Sequence, residues 1–501
     1  MFYQHLRLAV IAALLHSGRC QTQTSTSSAS GACPTVLTPS YSAPVVGSGY
    51  VAQLIVKGLK KPRGLLFDSN GALLVVQQGT GIVHVTFSDN GGTCLVVKKT
   101  TKLIDDSNLN HGIELSGDGR TLYASSSNEV YSWAYDPEAI SVSDTKQTLV
   151  GNMSNSDHVT RTLLLSRKAP GMLLVSRGSA ENMDEGAAEL STGRSEIRAF
   201  NISDAADGKP YDYPSQGKLI GWGLRNSVGV AEHPVTGGIY SVENSADQLQ
   251  RSGKDIHEDN PGEEMNFHGF LNGSTESQGG NYGYPHCFAL WNKNVPDVGG
   301  MKVGSQFALE QSATLNDTTC ADDYVAPRLT FQAHMAPLDI KFTKDGSLAY
   351  ITFHGSWNRN KPAGYKLSAV SFAGGEPVEP ADSTKAAVDV LSNGDNSACP
   401  GACFRPAGLA IDGEGRIFMT SDATGEIYVL RRAEVSASGT GGGGGGTSTG
   451  GGGGGTLVTS TSKNSPNAAA GMGVARGENG LLLVSLTIAL SAVSGAFFAI
   501  A

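Results

Sequence analysis

The stretch PRGLLFDSNGALLVVQQ, residues 62–78, consists of an apolar run, a polar turn and a second apolar run. Its turn contains Asn70 and Gly71, and an Asn-Gly pair supplies the positive φ that tight hairpin turns need. The stretch therefore predicts two antiparallel strands joined by a short turn. The same order of apolar run, Gly-containing turn and apolar run recurs in residues 111–127, 161–178, 226–244, 336–355 and 406–422.

Six such hairpins predict an all-β fold, a six-bladed β-propeller. One hairpin is marginally stable by itself, so the repeats must stack radially to bury their faces. We expect one domain over residues 33–435, although length by itself would suggest two or three domains. The longest gap between repeats precedes residue 336, and we expect this insertion to form loops that shape a pocket over the central channel.

The two ends of the chain predict where the protein is found. Residues 1–20 have a basic opening, the apolar run LAVIAALL and a small, polar end, which is typical of a cleaved secretory signal. Residues 436–466 are mostly Gly, Ser and Thr and predict a flexible linker. Residues 467–501 end in an apolar tail that fits a GPI-attachment signal or a plain C-terminal membrane anchor. We expect a secreted, surface-tethered protein.

Cysteine content and charge agree with this compartment. Removal of a signal containing Cys20 leaves six cysteines, an even set that suits disulfides in a secreted protein. Six cysteines allow fifteen pairings, but nearness in the chain favours Cys399 with Cys403 and Cys287 with Cys320, which leaves Cys33 with Cys94. The net charge of −9 gives no basic footprint, so nucleic acid is not an expected partner. Sequons predict glycosylation at Asn152, Asn201, Asn272 and Asn316.

Many cationic and polar residues stand immediately before or after the apolar runs. In a propeller these positions lie at the rims or at the channel mouth. Each one alone could be a solvated rim charge. Together, arginines and histidines around one channel would form a positive site for a small ligand with several carboxylates. The residues are Arg63, His111, Asp157, His158, Arg225, Asn226, His334, His354, Arg359 and Arg405.

From about residue 50 to residue 432 the chain resembles the soluble quinoprotein glucose and sorbosone dehydrogenases. It is most similar to their fungal branch, the secreted pyranose dehydrogenases that use pyrroloquinoline quinone (PQQ). No single motif decides this resemblance, but seven of them occur in the same order. They read KPRGLLFD, SDHVTRTLLL, GLRNSVG, EEMNF with GGNYGYP, AHMAPLDIKF, FHGSWNR and FRPAGLAIDGEG.

The resemblance implies roles for residues of the second and third repeats. His158 matches the general base, which takes the proton of the sugar's anomeric hydroxyl while hydride leaves C1 for the quinone. An imidazole suits this role because its ordinary pKa is about 6.5. Asp157 corresponds to an acid of the same pocket, and Asn110 to an amide near the substrate and cofactor. The group that orients the histidine stays open among Ser179, Glu181 and Asn182.

The resemblance also implies the cofactor contacts. Arg225 would clamp a quinone carboxylate and Asn226 would bond a quinone oxygen, with Arg63 and Arg405 as further contacts. His354 stands where the glucose enzymes carry a cofactor-binding lysine, which is a departure from their pattern.

Calcium is the metal that the resemblance implies. In the family this ion bridges the quinone to main-chain carbonyls, and the carbonyls of Ser245 and Ala246 match these ligands. Ligation by oxygen suits this hard cation. A second, structural site is a weaker expectation. Its candidate ligands are Asp247, Glu263, Glu264 and Asn266.

The sequence thus predicts a PQQ-dependent dehydrogenase that oxidises a pyranose or a ketoaldose, such as a sorbosone-, glucosone- or fucose-like sugar. Because no haem module is visible, we expect an external electron acceptor: a cytochrome, a copper oxygenase or a quinone. One alternative is a non-catalytic propeller that binds a cell-wall glycan or a partner protein. Another is a metal-dependent lactonase, which would need carboxylates converging on one calcium ion in the channel.

Overall fold

The computed structural model describes residues 33–203, 208–271 and 278–433. The predicted signal, linker and anchor, and the sequon at Asn272, lie outside the described residues. Within these ranges, no helix is both long and apolar enough to cross a bilayer.

Strands make up nearly all of the regular structure. The first part of the chain forms β1 (Val45–Val46), β2 (Tyr50–Val56), β3 (Pro62–Phe67), β4 (Leu73–Gln77), β5 (Gly81–Asp89), β6 (Leu95–Asp105), β7 (Leu109–Leu115), β8 (Thr121–Ser126), β9 (Val130–Asp136), β10 (Ser141–Val142), β11 (Gln147–Gly151), β12 (Leu163–Leu165), β13 (Met172–Arg177), β14 (Glu196–Asn201), β15 (Tyr211–Asp212), β16 (Lys218–Trp222), β17 (Ser227–Glu232) and β18 (Gly238–Glu243).

The second part forms β19 (Gln250–Arg251), β20 (Lys254–Asp255), β21 (Glu263–Phe270), β22 (Gly280–Asn281), β23 (Cys287–Ala289), β24 (Gln306–Ala308), β25 (Leu329–Phe331), β26 (Pro337–Phe342), β27 (Leu348–Phe353), β28 (Lys366–Ala373), β29 (Glu376–Pro377), β30 (Val388–Ser392), β31 (Pro406–Ile411), β32 (Ile417–Ser421) and β33 (Glu426–Arg432). The α-helix α1 spans Asp317–Asp323, and 3-10 turns span Glu185–Ala188, Leu190–Thr192 and Asn396–Ala398.

Most of the strands form six blades whose first three strands pair antiparallel, which confirms the predicted six-bladed propeller. Each of the six sequence hairpins forms the two inner strands of one blade: β3–β4, β7–β8, β12–β13, β17–β18, β26–β27 and β31–β32. The innermost strands touch in the cyclic order β3, β7, β12, β17, β26, β31 and β3 again. They therefore surround one central channel.

The propeller is closed by a strand from the other end of the chain. β2 pairs antiparallel with β33, with Tyr50 opposite Arg432, and so becomes the outermost strand of the sixth blade. Both ends of the repeat region are thereby held in one sheet.

The hydrophobic core is divided among the spaces between neighbouring blades. Between the fourth and fifth blades, for example, Tyr240, Met265, Ile340 and Ile351 are fully buried in one cluster. Corresponding clusters fill the other five spaces. Since every blade buries both faces in this way, no blade is a separate folding unit.

The three favoured disulfides are all formed. Cys33–Cys94, Cys287–Cys320 and Cys399–Cys403 have Cα–Cα distances of 5.5, 5.6 and 5.4 Å. Cys287–Cys320 lies inside the long insertion between β18 and β26, where it joins β23 to α1. The longest gap between repeats thus carries strands and a helix of its own, and its predicted role in shaping a pocket over the channel stays a prediction.

Candidate active site

The predicted site residues meet at one end of the channel. The innermost strand of each blade leaves this end, and the antiparallel second strand returns to it. We call this end the upper rim. Its residues at the start of, or just before, innermost strands include Arg63, Asn110, His158, Arg225, Asn226 and Arg405, and those that follow second strands include Ser179, Ser245, His354 and Asp422.

His158 is held by its main-chain neighbourhood in one orientation. Its Nδ1 lies 3.1 Å from the carbonyl oxygen of Ser179 and 2.9 Å from the Ser179 Oγ. Ser179 Oγ donates to the Glu181 carbonyl, so it can only accept from the ring. Nδ1 therefore carries the proton, and Nε2 keeps its lone pair. No hydrogen bond within the described ranges involves Nε2, which makes it available as a base.

The protonation of His158 follows from its burial. The side chain is 5% exposed. Desolvation, with a smaller contribution from Arg225, lowers the pKa of His158 to about 3. The imidazole is therefore neutral throughout the physiological range. Burial also raises the pKa of the neighbouring Asp157, while Arg225 opposes this. Of the three candidates for orienting His158, the structure selects Ser179.

Gly178 brings His158 and the Arg225–Asn226 pair together. A Cβ atom at this position would lie 2.6 Å from Asn226 Oδ1, 2.8 Å from His158 Cβ and 3.2 Å from the Arg225 carbonyl oxygen. Only glycine leaves room for such contacts. The predicted base and the predicted Arg-Asn pair are therefore direct neighbours.

The Arg225 guanidinium is fixed by oxygens on three sides. Nη2 donates to Asn182 Oδ1 at 2.8 Å, Nε to the Asn182 carbonyl at 3.1 Å and Nη1 to the Asn244 carbonyl at 3.2 Å. Asp247 Oδ2 lies 3.5 Å from Nη2. Glu243 accepts the main-chain N–H of Arg225 at 2.7 Å, which fixes the backbone as well. Most of these partners are uncharged, so they leave the positive charge of the guanidinium largely unneutralised.

A second cationic cluster centres on Asp422. One carboxylate oxygen lies 2.6 Å from Arg63 Nη1 and the other 2.8 Å from His354 Nε2. Arg405 reaches the same cluster by donating to the carbonyls of His354 and Gly355 at 3.2 and 2.8 Å. Three of the predicted cofactor residues are thus grouped around one acid.

Charges within this cluster are unequal. Burial lowers the pKa of His354 to about 4, so this imidazole is neutral near pH 7. Burial would raise the pKa of Asp422, but His354 and Arg63 outweigh it and hold that pKa well below the usual range. At neutral pH the ionic partner of Asp422 is therefore Arg63.

Among the buried polar atoms that have no partner within the described residues, two belong to predicted site residues of the upper rim. They are Nη2 of Arg63, a donor, and Oδ1 of Asn110, an acceptor whose amide nitrogen is occupied by the Val159 carbonyl at 2.8 Å. A buried polar group without a partner is costly, and a ligand that reaches it relieves that cost. The unpartnered donor of Arg63 therefore fits a carboxylate of the ligand that the resemblance implies, whereas the unpartnered acceptor of Asn110 fits a hydroxyl group.

The expected calcium ligands have a suitable arrangement. The N–H of Ser245 donates to Glu263 at 2.7 Å, while the carbonyls of Ser245 and Ala246 accept no hydrogen bond from any described residue. Ala246 is 1% exposed. A free carbonyl in such a position suits an oxygen-ligated cation.

The weaker expectation of a second calcium site finds no support. The Asp247 carboxylate contacts Arg225, His334 and Asn358. Across the described ranges, no three His, Cys, Asp or Glu side chains are grouped so that they could hold a metal ion. The same finding gives no support to a lactonase site built from converging carboxylates.

Sequence reasoning missed the two acids that organise the rim. Asp422 directly follows the second strand of the sixth repeat, as His354 directly follows that of the fifth, so its place in the repeat was a usable signal. Asp247 lies beyond the fourth repeat, and it was considered only as a metal ligand. The rim positions predicted from the sequence were mostly cationic, and Asp157 was the one acid among them.

Comparison with known proteins agrees with this geometry. A family model described as TrAA12-like matches residues 44–433. The chain is 51% identical over 406 residues to a PQQ-dependent sugar dehydrogenase of Hypocrea jecorina (strain QM6a), which covers 80% of this chain and 92% of the relative. It is 35% identical over 418 residues to a PQQ-dependent pyranose dehydrogenase of Coprinopsis cinerea. That match covers 80% of this chain but only 56% of the relative, about half of its length.

Two solved structures are similar to the propeller. The calcium structure of the Trichoderma reesei member of carbohydrate-active enzymes family AA12 has 52% identity and a TM-score of 0.78, and covers 80% of this chain and 100% of that one. The holo form of the PQQ domain of the Coprinopsis cinerea pyranose dehydrogenase has 34% identity and a TM-score of 0.75, with coverage of 80% and 99%.

Proposed function

This chain belongs to the TrAA12-like family, and we propose that it is a PQQ-dependent sugar dehydrogenase. The observation that carries the proposal is the state of His158, a buried neutral imidazole with Nδ1 bonded to Ser179 and Nε2 available. It lies beside Arg225 and Asn226 across Gly178. The names of the Hypocrea and Coprinopsis relatives support the same activity.

Two groups of residues would hold the cofactor. Arg63, His354 and Arg405 form one group around Asp422, and Arg225 with Asn226 forms the other. Arginine suits carboxylates because its planar guanidinium offers paired donors. When bound, PQQ supplies an electrophilic quinone that accepts two electrons and a proton as hydride.

His158 performs the proton transfer in this proposal. Its Nε2 accepts the proton of the anomeric hydroxyl. At the same time the C1–H bond breaks, the hydrogen leaves with the electron pair of that bond as hydride, and C1 becomes a carbonyl carbon. The Ser179 carbonyl stabilises the resulting imidazolium because it keeps the Nδ1 proton bonded. Asn110 Oδ1, which is buried and unpartnered among the described residues, is available for a hydroxyl of the substrate.

Ser245 and Ala246 would contribute carbonyl oxygens to calcium. The calcium structure of the Trichoderma reesei relative supports calcium as the ion, whereas the choice of these two carbonyls rests on the resemblance. Glu263 accepts the Ser245 N–H at 2.7 Å and so helps to fix the backbone of this segment. The ion would increase the electrophilicity of the cofactor as a Lewis acid.

The finer parts of the proposal rest on the sequence. We propose that the substrate is a pyranose or a ketoaldose and that electrons pass to an external acceptor: a cytochrome, a copper oxygenase or a quinone. We further propose that the protein is secreted and tethered to the cell surface through residues 436–501. Support comes from the signal-like start, the Gly-rich linker and the apolar tail. Glycosylation at the sequons belongs to the same proposal.

The test combines calorimetry with turnover. The purified protein is titrated with PQQ in calcium and again with a chelator, and dye reduction is then measured on a panel of pyranoses and ketoaldoses. We expect calcium-dependent binding and reduction with at least one sugar. His158→Ala should bind PQQ normally but lose about 10²- to 10⁴-fold in turnover, the usual contribution of a general base.

His286→Ala is the matched control, because this half-exposed histidine pairs with Glu185 and has no contact with the rim residues. It should retain wild-type turnover. Absence of PQQ binding in calcium would reject the proposal and favour the non-catalytic glycan- or protein-binding propeller.

A further inference from the structure

Trp357 is an aromatic side chain that the proposed chemistry does not use. It lies in the loop between β27 and β28, three residues after His354, and 48% of it is exposed. Of the other three tryptophans, Trp133 is buried and Trp222 and Trp291 are half-buried. No ring contact or hydrogen bond within the described part of the chain involves the Trp357 indole. A large apolar ring thus faces solvent beside the upper rim.

The backbone before Trp357 is fixed by the cofactor cluster. Arg405 donates to the carbonyls of His354 and Gly355 at 3.2 and 2.8 Å. Ser356 exchanges two hydrogen bonds with Ala363, its N–H donating at 2.9 Å and its Oγ accepting at 3.0 Å. The start of the loop therefore cannot move without disturbing Arg405.

The backbone after Trp357 is fixed from the fourth blade and its insertion. Asn358 Nδ2 donates to Asp247 Oδ1 at 2.9 Å. Arg359 donates to the Glu258 carbonyl and lies 3.4 Å from Asp259 Oδ1. The indole is thus carried by a loop that is anchored at both sides, so its exposure is not that of a mobile tip.

These anchors connect the loop that carries Trp357 to residues of the base pocket. Asp247, which holds Asn358, also lies 3.5 Å from Arg225. Arg225 and Asp247 are the two charged groups that affect the pKa of Asp157, the neighbour of His158. A molecule bound at His158 therefore lies close to the loop that carries the indole.

The surroundings of the indole indicate the kind of ligand. The following residues of the loop are polar: Asn358 Oδ1 has no hydrogen-bond partner among the described residues, and Asn360 and Lys361 are exposed. A protein partner usually covers a contiguous apolar patch of several hundred Å², whereas here one ring stands among polar groups. An apolar plate with polar groups at its edge matches a pyranose, which has an apolar C–H face and a rim of hydroxyls.

We propose that Trp357 is a substrate-binding residue on which the pyranose ring of the sugar stacks. This inference rests on the proposed function, since it names a binding surface of the same site. Stacking on the indole would hold the ring while His158 acts at C1. A sugar whose C–H face is interrupted by an axial hydroxyl would then bind less well than one whose face is continuous.

The kinetic test uses Trp357→Ala, Trp357→Phe and, as a control, Val235→Ala. Val235 is 59% exposed and follows β17 at the opposite end of the channel. With the best sugar of the panel, we expect Trp357→Ala to raise KM about fivefold to tenfold, as the loss of about 1–1.5 kcal/mol of aromatic stacking would. The saturating kcat and the affinity for PQQ should stay within about twofold of wild type. Trp357→Phe should have a KM close to that of wild type, and Val235→Ala should have wild-type KM and kcat.

A second test reads the indole directly. Tryptophan emission of the cofactor-free and the PQQ-loaded protein is recorded while the same sugar is added. Wild type should show a saturable change that Trp357→Phe lacks. An equal response in Trp357→Phe, no response in wild type, or an unchanged KM in Trp357→Ala would overturn the proposal. If wild-type protein failed to bind PQQ but still showed the fluorescence response to sugar, the stacking proposal would stand and the proposed dehydrogenase activity would be rejected.

Discussion

Replacement of Asp422 by asparagine would test how the positive rim is stabilised. The change keeps the shape of the side chain and removes the charge that lies 2.6 Å from Arg63 Nη1. Arg63 is 1% exposed, and its Nη2 already lacks a partner among the described residues. The variant therefore leaves a buried guanidinium without a counter-charge. Loss of one partner of a buried pair costs about 3–5 kcal/mol, and because Asp422 itself is partly exposed we expect the lower end, about 3 kcal/mol.

The expected shift in melting temperature is small because the domain is large. An unfolding entropy of about 2.1 cal/mol/K per residue over roughly 400 residues converts 3 kcal/mol into about 4 °C. Urea unfolding of the cofactor-free protein, followed by far-ultraviolet circular dichroism, measures the free energy itself. Asp136→Asn is the matched control, because Asp136 pairs at 3.5 Å with Arg120 and both side chains are more than half exposed. It should cost less than about 0.5 kcal/mol.

The stability difference between wild type and Asp422→Asn should depend on pH in a direction that the pKa of Asp422 determines. The folded pKa of Asp422 lies below the unfolded value, which is about 3.9. Its stabilising contribution is therefore complete above that value and is lost as pH falls through the folded pKa. The difference between wild type and Asp422→Asn should be constant from about pH 5 to 8 and shrink below about pH 4. A difference under about 1 kcal/mol at pH 7, or one that grows on acidification, would refute the reasoning.

Three further predictions concern the base, its neighbour and a disulfide. Because the pKa of His158 is lowered to about 3, kcat/KM should show no acid limb near pH 6.5; a pH–rate profile with a limb there contradicts the assigned environment. Gly178→Ala would place a methyl group 2.8 Å from His158 Cβ, so turnover should fall more than about tenfold while urea unfolding reports a loss of about 1–3 kcal/mol. Replacing both Cys33 and Cys94 by alanine opens a loop of sequence separation 61 and should cost about 4 kcal/mol in urea unfolding; an unchanged midpoint would show that the loop is already constrained.

The sequence predicts the hairpins well because their signals are local. Alternating apolar runs and Gly-containing turns specify each pair of inner strands within about twenty residues, and all six are present. The closure of the sixth blade is different in kind. Strand β2 has no hairpin partner nearby in the chain, and Tyr50 finds its partner at Arg432. A contact across nearly the whole domain has no local turn to announce it, so the repeat pattern could not predict it.

The candidate site follows the same division. The order of the repeats predicts that Arg63, His158, Arg225 and Arg405 share one rim, because each stands at the start of an innermost strand or within a few residues before it. Which groups neutralise or orient them depends on contacts between blades. The choice of Ser179 for His158 illustrates this, since its main-chain carbonyl makes one of the two bonds to the ring. A carbonyl has no sequence signature and is visible only after folding.

The two acids of the rim also bear on when the cofactor enters. Asp422 joins Arg63 to His354, and Asp247 joins Arg225 to His334 and Asn358. Each acid thus supplies negative charge to an arginine that would otherwise be buried without a counter-ion. A rim compensated in this way can fold before any carboxylate ligand arrives. The carboxylates of PQQ would then accept from Arg63 Nη2 and be attracted by the positive charge of Arg225. We therefore expect PQQ binding to recover part of the stability lost in Asp422→Asn.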